Sequence, residues 1–475
     1  MRVALIFPPY RHKIFSENLK VIDEEFCHAP PIILAYVASI IRQAGHDVIL
    51  LDAKTLGLSK EGALRILRDF RPDLLGFRAE TYYFHDALEW MRYLKSNLNI
   101  PVLAGGLNLS LFPRETLSHS EIDYAIIGEA SESLPKLMKI LEEGLDIGDE
   151  PGIAYKKDRE IIINPPSGKA FEFDSFPFPA RDLLPNEKYS SFLSKRKNFT
   201  IMVTSRGCPY KCNFCAIHKA VDYQERSAIS VVDEINQCYV RYGIREIDFF
   251  DGTFFINKKR FFEISSMLKR ENVKIEWTCR SRVDVIDNEI LKEASSVGCR
   301  QIFLGIESGN NDTLDRIRKG INIEQVRQAV ELCRKYKVMT MGFFMIGNPG
   351  ETRESVEETI RFAKELRVDF AQFCRTIAKP GTNLEEGLRQ DLGLDYWREY
   401  IAGKIKEQRL PTPWTSLAAD EEELLTQKAY ISFYFRFSYI IRTLFRIKSF
   451  NEAVRYIYTA VKMLFCNRKE HDHKR

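Results

Sequence analysis

The chain has 475 residues, 45% of them hydrophobic and 29% charged, with a formal net charge of +4. This composition is typical of a soluble globular protein, and the length predicts two or three domains. The small net charge gives no reason to expect a nucleic acid partner. Neither a signal peptide nor a run of about 18 apolar residues is found, so we expect a cytoplasmic protein without a membrane span.

The ten cysteines are distributed in a way that argues against a disulfide framework. Three of them lie within eight residues, and the others occur singly. The single cysteines are Cys27, Cys238, Cys279, Cys299, Cys333, Cys374 and Cys466. Most lie in apolar runs, where a free thiol packs as a small hydrophobic group. This distribution favours a reducing, cytosolic compartment.

Residues 1–145 alternate between apolar strand-like runs and amphipathic helical stretches. Strands are predicted at Val3–Phe7, Val48–Asp52, Leu74–Phe77, Val102–Ala104 and Tyr124–Ile127. Helical patterns such as Ile32–Ala44 and Phe84–Leu98 lie between them. This order predicts an α/β fold with a doubly wound, Rossmann-like parallel sheet, in which ligands bind beyond the carboxyl ends of the strands.

Residues 146–198 interrupt this rhythm with six prolines and little periodicity, which predicts an ordered linker. A second alternating series occupies residues 199–384. Its strands are predicted at Phe199–Thr204, Glu246–Phe250, Lys274–Thr278, Gln301–Gly305, Thr340–Ile346 and Asp369–Phe373. Six β/α units predict a partial parallel barrel, because a complete barrel has eight units and about 250 residues.

Residues 385–475 lose the strand pattern and are predicted to form a helical C-terminal extension. Asp420–Glu423 is an acidic run that suits a helix N-terminus. The aromatic residues that follow are Tyr430, Phe433, Tyr434, Phe435, Phe437 and Tyr439. Basic residues dominate the last part of the chain. The extension is interpreted as a cap that packs on the barrel, or alternatively as a surface that contacts a membrane.

The strongest chemical signal is the segment Ser205–Cys215, which reads S-R-G-C-P-Y-K-C-N-F-C and follows the first strand of the second series. Barrel enzymes place their chemistry at such strand ends. Cys208, Cys212 and Cys215 can bind three irons of a cubane cluster and leave the fourth iron open. Zinc is the alternative, but a structural zinc site needs four ligands, and only His218 is near enough in sequence to complete it.

The C-x3-C-x-aromatic-C pattern resembles the signature of the radical S-adenosylmethionine (SAM) superfamily, with Phe214 at the aromatic position. The resemblance implies a 4Fe-4S cluster on the three cysteines and SAM on the open iron. Reductive cleavage of SAM would then give methionine and a 5′-deoxyadenosyl radical, which abstracts hydrogen from the substrate. An external electron donor such as flavodoxin or ferredoxin is also implied.

Other strand ends carry residues that resemble the superfamily's SAM contacts. Asp251 and Gly252 stand where many members have Gly-Gly-Glu, although Asp251 also suits a helix cap. Arg280 or Arg282 would pair with the SAM carboxylate, and Arg282 is preferred. A glycine-rich turn from residue 347 would lie beside the adenine, although a purely structural turn explains it equally well. The SAM contacts implied are Phe214, Asp251, Gly252, Arg282, Glu307 (in G-x-E-S-G) and Gly347.

A Rossmann-like domain, a proline-rich linker containing Phe176–Pro185, and a radical SAM barrel together resemble the cobalamin-binding radical SAM proteins. That group includes methylases of unactivated carbon or phosphorus and the anaerobic ring cyclase of bacteriochlorophyll synthesis. The resemblance implies that N-terminal loops lie against the corrin ring and its nucleotide tail. The residues concerned are Pro8, Pro9, Gly105, Gly106, Gly128 and Glu129.

The N-terminal domain also departs from the pattern of that group. There is no D-x-H-x-x-G, so no histidine of that motif can bind cobalt. The usual Gly-Gly-Pro-His is replaced by Gly105–Asn108, and Gly-Glu-Gly-Glu by Gly128–Ser131. Arg78, Glu80 and Tyr82 are bulky where small residues let the backbone approach the cofactor. A retained fold that no longer binds cobalamin is therefore the alternative to cobalamin binding.

The prediction is a radical SAM enzyme that methylates an unactivated carbon of a small-molecule or lipid substrate with cobalamin. An oxidative cyclase and a radical SAM enzyme without cobalamin are the enzymatic alternatives. A non-catalytic iron–sulfur sensor or scaffold is the alternative from another class. Action on RNA is disfavoured because the chain has neither a second cysteine group nor a basic domain. Peripheral membrane contact through the extension would suit a lipid substrate.

Overall fold

Apolar runs before residue 164 form a seven-stranded sheet flanked by helices. The computed structural model describes residues 1–10, 28–158, 160–168, 172–191, 194, 198–217, 221–405, 410–447, 453, 454, 456 and 458. The strands are β1 (Arg2–Phe7), β2 (Asp47–Asp52), β3 (Leu74–Arg78), β4 (Val102–Gly105), β5 (Tyr124–Ile126), β6 (Ile153–Lys157) and β7 (Glu160–Ile163). The helices are α1 (Ile32–Gln43), α2 (Ala53–Leu56), α3 (Lys60–Phe70), α4 (Phe84–Leu98), α5 (Leu107–Leu111), α6 (Pro113–Leu117) and α7 (Ala130–Glu143).

The strands of this sheet are ordered β2-β1-β3-β4-β5-β6-β7. Strands β1 to β5 pair in parallel, which confirms the Rossmann-like prediction. Strands β6 and β7 add an antiparallel hairpin. This hairpin lies within residues 146–198. That segment was predicted to be a linker because its prolines obscured the short apolar run Ile161–Ile163. The run forms a strand because hydrogen bonds to β6 pair its backbone amide and carbonyl groups.

The rest of the linker is fixed by buried polar contacts to both halves of the chain. The Tyr189 hydroxyl donates to the Asp52 carboxylate at 2.9 Å, at the end of β2. The fully buried Arg181 lies 2.6 Å from the Glu234 carboxylate and donates to the Ile201 carbonyl at 3.0 Å. Breaking a buried ion pair of this kind costs about 3–5 kcal/mol, so Arg181 and Tyr189 anchor the described part of the linker to both halves of the chain.

The second half of the chain forms a six-stranded parallel sheet with the order β15-β14-β13-β12-β11-β8. Its strands are β8 (Phe199–Met202), β11 (Glu246–Phe249), β12 (Glu276–Ser281), β13 (Cys299–Glu307), β14 (Met339–Ile346) and β15 (Phe370–Arg375), and β9 (Ser205–Arg206) with β10 (Gln224–Glu225) forms a separate ribbon. The helices are α8 (Ala228–Arg241), α9 (Lys258–Arg270), α10 (Asn288–Ser296), α11 (Asn311–Arg316), α12 (Ile323–Lys335) and α13 (Arg353–Leu366). All six predicted strands are present, which confirms the partial barrel.

The C-terminal extension divides between the two halves of the molecule. Its helices are α14 (Asn383–Leu392), α15 (Tyr396–Ile401), α16 (Ala419–Tyr434) and α17 (Phe437–Leu444). Trp397 and Tyr400 of α15 pack with the buried core of the N-terminal sheet, next to Phe84. Tyr430 and Phe433 of α16 pack with the barrel core. The predicted packing of aromatic residues on the barrel is confirmed for α16, whereas the basic end lies mostly outside the described residues.

Strand β15 is an edge strand, and tyrosine hydroxyls cover its free backbone. Tyr434 accepts from the Ala371 amide at 3.0 Å and donates to its carbonyl at 2.7 Å. Tyr430 accepts from the Phe373 amide at 3.1 Å, and Tyr439 donates to the Asp369 carbonyl at 3.0 Å. An uncovered edge would leave these groups available for pairing with another chain, so α16 and α17 close the open side of the barrel.

Candidate functional site

The cysteine loop begins where β9 pairs with β10, directly after the first barrel strand. Gly207 has φ +71°, and a Cβ at this position would lie 2.5 Å from the Asp222 carbonyl oxygen. Only glycine fits such a position. Farther along, the Asn213 amide donates to the Ile317 carbonyl at 3.2 Å. These two constraints hold the loop at the carboxyl end of the barrel sheet.

The three thiols of this loop lie beside two cationic side chains. Cys212 is buried, and Cys208 and Cys215 are half-buried. Burial raises the pKa of each thiol, and the positive charge of Lys319 acts on all three in the opposite direction. Arg282 lies with Nη1 3.8 Å from the Cys212 Sγ. Nearby cations favour the thiolate, which is the form that binds iron.

The donor set fits a cubane cluster better than a single metal ion. In the part of the chain that the structure describes, no three His, Cys, Asp or Glu side chains converge on a position for one metal ion. His218, the fourth ligand of the zinc alternative, lies outside the described residues. A cubane binds each thiolate through a different iron, so three cysteines on one loop suffice and one iron stays open.

Asp251 lies at the predicted strand end, but its carboxylate is used to fix the cysteine loop. It accepts hydrogen bonds from the Thr204 amide at 2.7 Å, from the Thr204 hydroxyl, and from the Ser205 amide at 3.1 Å. The side chain is buried, and burial raises the pKa of this carboxyl. These hydrogen bonds correspond neither to the predicted SAM contact of Asp251 nor to the alternative role as a helix cap. We therefore interpret Asp251 as a residue that positions the loop.

Gly252 and Arg282 both lie against the cysteine loop. A Cβ on Gly252 would be 3.4 Å from the Gly207 carbonyl oxygen and 3.9 Å from the Cys208 Cβ. Arg282 stacks on Tyr210, with its guanidinium carbon 3.7 Å from the ring centre. Arg280 is directed elsewhere and pairs with Asp248. Of the two arginines considered from the sequence, the structure brings only Arg282 to the cysteines.

Glu307 forms a buried ion pair with Lys319, a residue that the sequence analysis did not identify. The Lys319 Nζ lies 2.7 Å from the Glu307 Oε1, and both side chains are less than 10% exposed. A Cβ on Gly305 would be 2.7 Å from both atoms, so glycine leaves the space for the pair. Glu307 has φ +68°, a strained conformation that in non-glycine residues concentrates at functional sites.

Phe214 and Gly347 occupy positions with strong packing constraints. Phe214 packs against the cores of both halves, and the Lys319 Nζ lies 5.9 Å from its ring centre. The Gly347 amide donates to the Glu351 carboxylate at 2.8 Å. Gly347 has φ +83°, and a Cβ there would be 2.7 Å from the Glu422 Oε1. The structural turn accounts for this glycine, and its contact with SAM stays a prediction.

A cavity of about 290 Å³ lies at the carboxyl edge of the N-terminal sheet. Its apolar walls include Leu5, Gly76, Leu103 and Ile126 from four neighbouring strands, together with Val37 of α1 and Leu134 of α7. The predicted residues that line it are Gly105, Gly106, Gly128 and Glu129, whereas Pro8 and Pro9 follow β1 outside its lining. Apolar walls of this kind suit the aromatic base of a cobalamin nucleotide tail.

Glycines keep the mouth of this cavity open, and two departures from the family pattern are absorbed by packing, whereas a third, Arg78, lines the cavity and pairs with Glu80. Gly106 has φ +124°, and a Cβ there would be 2.9 Å from the Ala79 carbonyl oxygen. Asn108, which replaces the usual histidine, is buried and bonds Thr116 at 2.8 Å. Tyr82 packs on Trp397 with ring centres 5.3 Å apart. Neither Asn108 nor Tyr82 lines the cavity, so neither replacement fills it.

The cavity and the cysteine loop share a wall. Arg206 lies two residues before Cys208, and its guanidinium pairs with the Glu129 carboxylate, which follows the last parallel strand of the N-terminal sheet. Val203, Arg206 and Glu129 all line the cavity. A group bound in the cavity would therefore lie next to the cluster loop.

Comparison with known proteins identifies both halves of this arrangement. The radical SAM superfamily matches residues 202–363, and the B12 binding domain matches residues 27–138. A relative from Pyrococcus horikoshii, named an uncharacterized methyltransferase, is 34% identical over 460 residues, covering 95% of this chain and 96% of the relative. The chain belongs to the radical SAM superfamily. It is a radical SAM enzyme with a B12-binding domain, and its cofactors are a 4Fe-4S cluster, SAM and cobalamin.

Other relatives and solved structures agree with this membership. The anaerobic magnesium-protoporphyrin IX monomethyl ester cyclase of Rubrivivax gelatinosus is 28% identical over 82% of this chain and 70% of its own length. The radical SAM methyltransferase TsrM from Kitasatospora setae, solved with cobalamin and a [4Fe-4S] cluster, has a TM-score of 0.65 at 20% identity, covering 82% of this chain and 75% of TsrM. OxsB with aqua-cobalamin has a TM-score of 0.67 at 19% identity, covering 97% and 71%. These two likenesses show the fold.

Two further residues beside the cysteine loop, Lys319 and Arg206, were not singled out from the sequence. Lys319 lies in a polar turn after α11, where a lysine normally marks a solvated surface. Arg206 precedes the cysteine motif, but its partner is 77 residues away in sequence. No local pattern signals either contact. In the described residues, no helix is long and apolar enough to cross a bilayer.

Proposed function

We propose that this protein transfers a methyl group to an unactivated carbon in a cobalamin-dependent radical SAM reaction. One observation carries the proposal. Val203 and Arg206 line the apolar cavity of the B12-binding domain, and both lie just before Cys208 in the chain. A cobalt cofactor held there and a cluster held by Cys208, Cys212 and Cys215 would be close enough to act on one substrate.

When bound, the cluster and SAM supply the radical that removes hydrogen from the substrate, and cobalamin supplies the methyl group. Gly252 leaves space beside Cys208 for the SAM methionine moiety. Arg282 and the Glu307–Lys319 pair present charged groups to its carboxylate and amino group. Phe214 packs against the cores of both halves, and Gly347 would border the adenine. The chain's part is to orient these groups and to exclude water.

The N-terminal loops hold the second cofactor in this proposal. Gly105, Gly106, Gly128 and Glu129 border the cavity mouth, where the corrin ring would rest, and Pro8 and Pro9 shape the same sheet edge. The apolar walls would take the nucleotide tail. Glu129 pairs with Arg206, so the loop that would lie against the corrin contacts the loop that carries the cysteines.

Relatives support methylation, and one group of them supports an alternative. The relative named a methyltransferase matches almost the whole chain. The cyclases match less of their own length, with 70% covered in the Rubrivivax protein. An oxidative cyclase remains the second candidate because its cofactor set would be the same. The two functions differ in whether a carbon atom from SAM enters the product.

The experiment uses anaerobically purified protein reconstituted with iron, sulfide and hydroxocobalamin. Iron and cobalt are quantified after desalting, and SAM carrying a deuterated methyl group is then added with a strong reductant and a cell extract of small molecules. Formation of 5′-deoxyadenosine together with a product about 3 Da heavier than the one made from unlabelled SAM supports methylation. Formation of 5′-deoxyadenosine with a product that contains no deuterium favours the cyclase. Cobalt-free protein that still forms the deuterium-labelled product overturns the cobalamin-dependent mechanism.

The partners follow from the same chemistry. A small-molecule substrate and an external electron donor such as flavodoxin or ferredoxin are required. A lipid substrate and peripheral membrane contact are proposed through α17, whose Phe437 is 79% exposed and whose Leu444 is 64% exposed. Arg436 and Arg442 donate to the Lys364 and Val368 carbonyls of the barrel, so the proposed contact rests on the exposed apolar side chains. Loss of co-sedimentation with anionic vesicles in a Phe437→Ser, Leu444→Ser variant would support this contact.

A further inference from the structure

The barrel interior presents one alternating row of side chains on each of its last strands. On β13 and β14 the even and odd positions separate cleanly: Ile302, Leu304, Phe344 and Ile346 are buried in the core with the outer helices. The residues between them face the opposite side of the sheet. We define this inner face by Arg280, Phe303, Met341, Phe343, Met345 and Phe370, all of which keep partial exposure.

The inner face is built mainly from aromatic rings and thioethers, and on β15 its row continues from Phe370 to the part-exposed Gln372 and Cys374. The rings of Phe303 and Phe343 stack with centres 5.9 Å apart. Strand register places Met341 between Phe303 and Phe370. Met345 follows two residues after Phe343, nearer the carboxyl edge, where Glu307 and the cysteine loop lie. Aromatic and methionine side chains form adaptable apolar surfaces, so the face is suited to a hydrocarbon skeleton.

The charges on this side of the barrel are already paired. Arg280 binds Asp248 through two hydrogen bonds of 2.7 and 3.0 Å, and its guanidinium carbon lies 3.9 Å from the Phe250 ring centre. Near the cysteines, Arg282 binds Asp284 at 2.8 Å, and Lys319 binds Glu307. Among the described residues of these inner rows, no cation is left to neutralise an ionised substrate. Burying an unpaired phosphate or carboxylate there would be costly.

Gln301 is the exception to this pattern of satisfied groups. It lies two residues before Phe303 on the same strand, opposite Thr278 in the register. The side chain is 0% exposed, yet neither its amide oxygen nor its amide nitrogen has a hydrogen-bond partner among the described residues. Leaving a buried amide unpaired costs about 1–3 kcal/mol, so a bound group that accepts or donates one hydrogen bond would be favoured here.

We propose that the barrel interior binds an uncharged, largely apolar substrate whose single neutral polar group, such as a hydroxyl, bonds the Gln301 amide. The inference rests on the proposed function, because it treats this interior as the substrate site of the radical reaction. The skeleton would lie across the inner face, with the reacting carbon toward the edge where the cysteines lie. Gln301 would set which end of the substrate enters first.

The test compares three probes that share one hydrocarbon chain: farnesol, farnesene and farnesyl phosphate. Binding to the reconstituted, cobalamin-loaded holoenzyme is measured by equilibrium dialysis. We expect farnesol to bind and farnesyl phosphate to bind at least about tenfold more weakly, a difference of about 1.4 kcal/mol. The Met341→Glu variant, which places a charge on the inner face, should bind neither farnesol nor farnesene.

Gln301→Leu is the decisive variant, and Gln328→Leu on the exposed face of α12 is its matched control. Gln301→Leu should weaken the binding of farnesol by about fivefold to tenfold and leave the affinity for farnesene unchanged. It should also raise the melting temperature of the ligand-free protein, which shows that the variant folds. Equal farnesol affinity in both variants, or tighter binding of farnesyl phosphate than of farnesol, would overturn the proposal.

A separate assay keeps this inference distinct from the proposed function. Production of 5′-deoxyadenosine from SAM and reductant is measured in the same preparation without any farnesyl probe. If SAM is cleaved but the binding pattern fails, the substrate class is wrong and the radical function stands. If the binding pattern holds but SAM is not cleaved, the apolar site stands and the radical function fails.

Discussion

Lys319 and Glu307 form a buried ion pair directly beside the cysteine loop, with Nζ and Oε1 2.7 Å apart. The pair joins a polar turn after α11 to the end of β13. Gly305 provides its space, and the positive charge of Lys319 acts on all three cysteine thiols. The same two residues therefore bear on both the cluster and the proposed SAM site.

Lys319→Met is expected to lower the free energy of unfolding by about 3–5 kcal/mol, because it leaves the Glu307 carboxylate buried and unpaired. The double variant Lys319→Met, Glu307→Gln should recover most of this loss. Urea unfolding of the cluster-free protein measures both. A double variant no more stable than the single one would show that the pair is not the source of the effect.

In the same single variant, SAM affinity should fall while four irons are retained. Anaerobic filtration with labelled SAM gives the affinity, and the electron paramagnetic resonance spectrum of the reduced cluster reports whether SAM reaches the open iron. Lys319→Arg keeps the charge and is the control. An unchanged spectral response to SAM in Lys319→Met would remove Lys319 from the proposed SAM site.

Replacing any one of Cys208, Cys212 or Cys215 with alanine should abolish a stable cluster, because a cubane needs all three thiolates from this loop. Iron analysis and the visible absorption spectrum after reconstitution measure how much cluster each variant holds. Cys333→Ala is the matched control, since that thiol is buried in the barrel core. The control should hold about four irons despite a stability loss of about 1–2 kcal/mol.

Val37→Trp should fill the cavity of the B12-binding domain and prevent cobalamin binding without affecting the cluster. The larger ring would occupy much of the approximately 290 Å³ between α1 and the sheet. Cobalt and iron are quantified after the protein is loaded and desalted. Val240→Trp, at a position 80% exposed on α8, is the control. Full cobalt loading of Val37→Trp would place the cofactor elsewhere.

Tyr434→Phe should destabilise the barrel by about 1–3 kcal/mol, because the backbone amide and carbonyl of Ala371 would lose their shared partner. Urea unfolding provides the value, and light scattering reports whether the uncovered edge of β15 promotes association. Tyr458→Phe, at a ring 38% exposed, serves as the control. Equal stability of the two variants would mean that Tyr434 does not protect this edge.

Local features of the chain were readable without the structure. The alternation of strand-like and helix-like runs predicted both sheets, because apolar residues recur with different periods in strands and in helices. The spacing of Cys208, Cys212 and Cys215 indicated the cluster because these ligands lie on one short loop. Prolines misled the reading of residues 146–198, where the hairpin of β6 and β7 continues the sheet. A strand in such a short run is stabilised by its neighbour and not by its own pattern.

The sequence by itself determined the two α/β halves and the resemblance to the radical SAM superfamily, and it predicted the cysteine ligands. Only the tertiary structure decided that Asp251 fixes the loop, that Lys319 pairs with Glu307, that Arg206 reaches Glu129, and that Gln301 is buried without a partner. The physical reason is that periodicity and ligand spacing are set by neighbouring residues along the chain. Which charges meet, and which polar groups lose water, depends on the packing of segments that are distant in sequence.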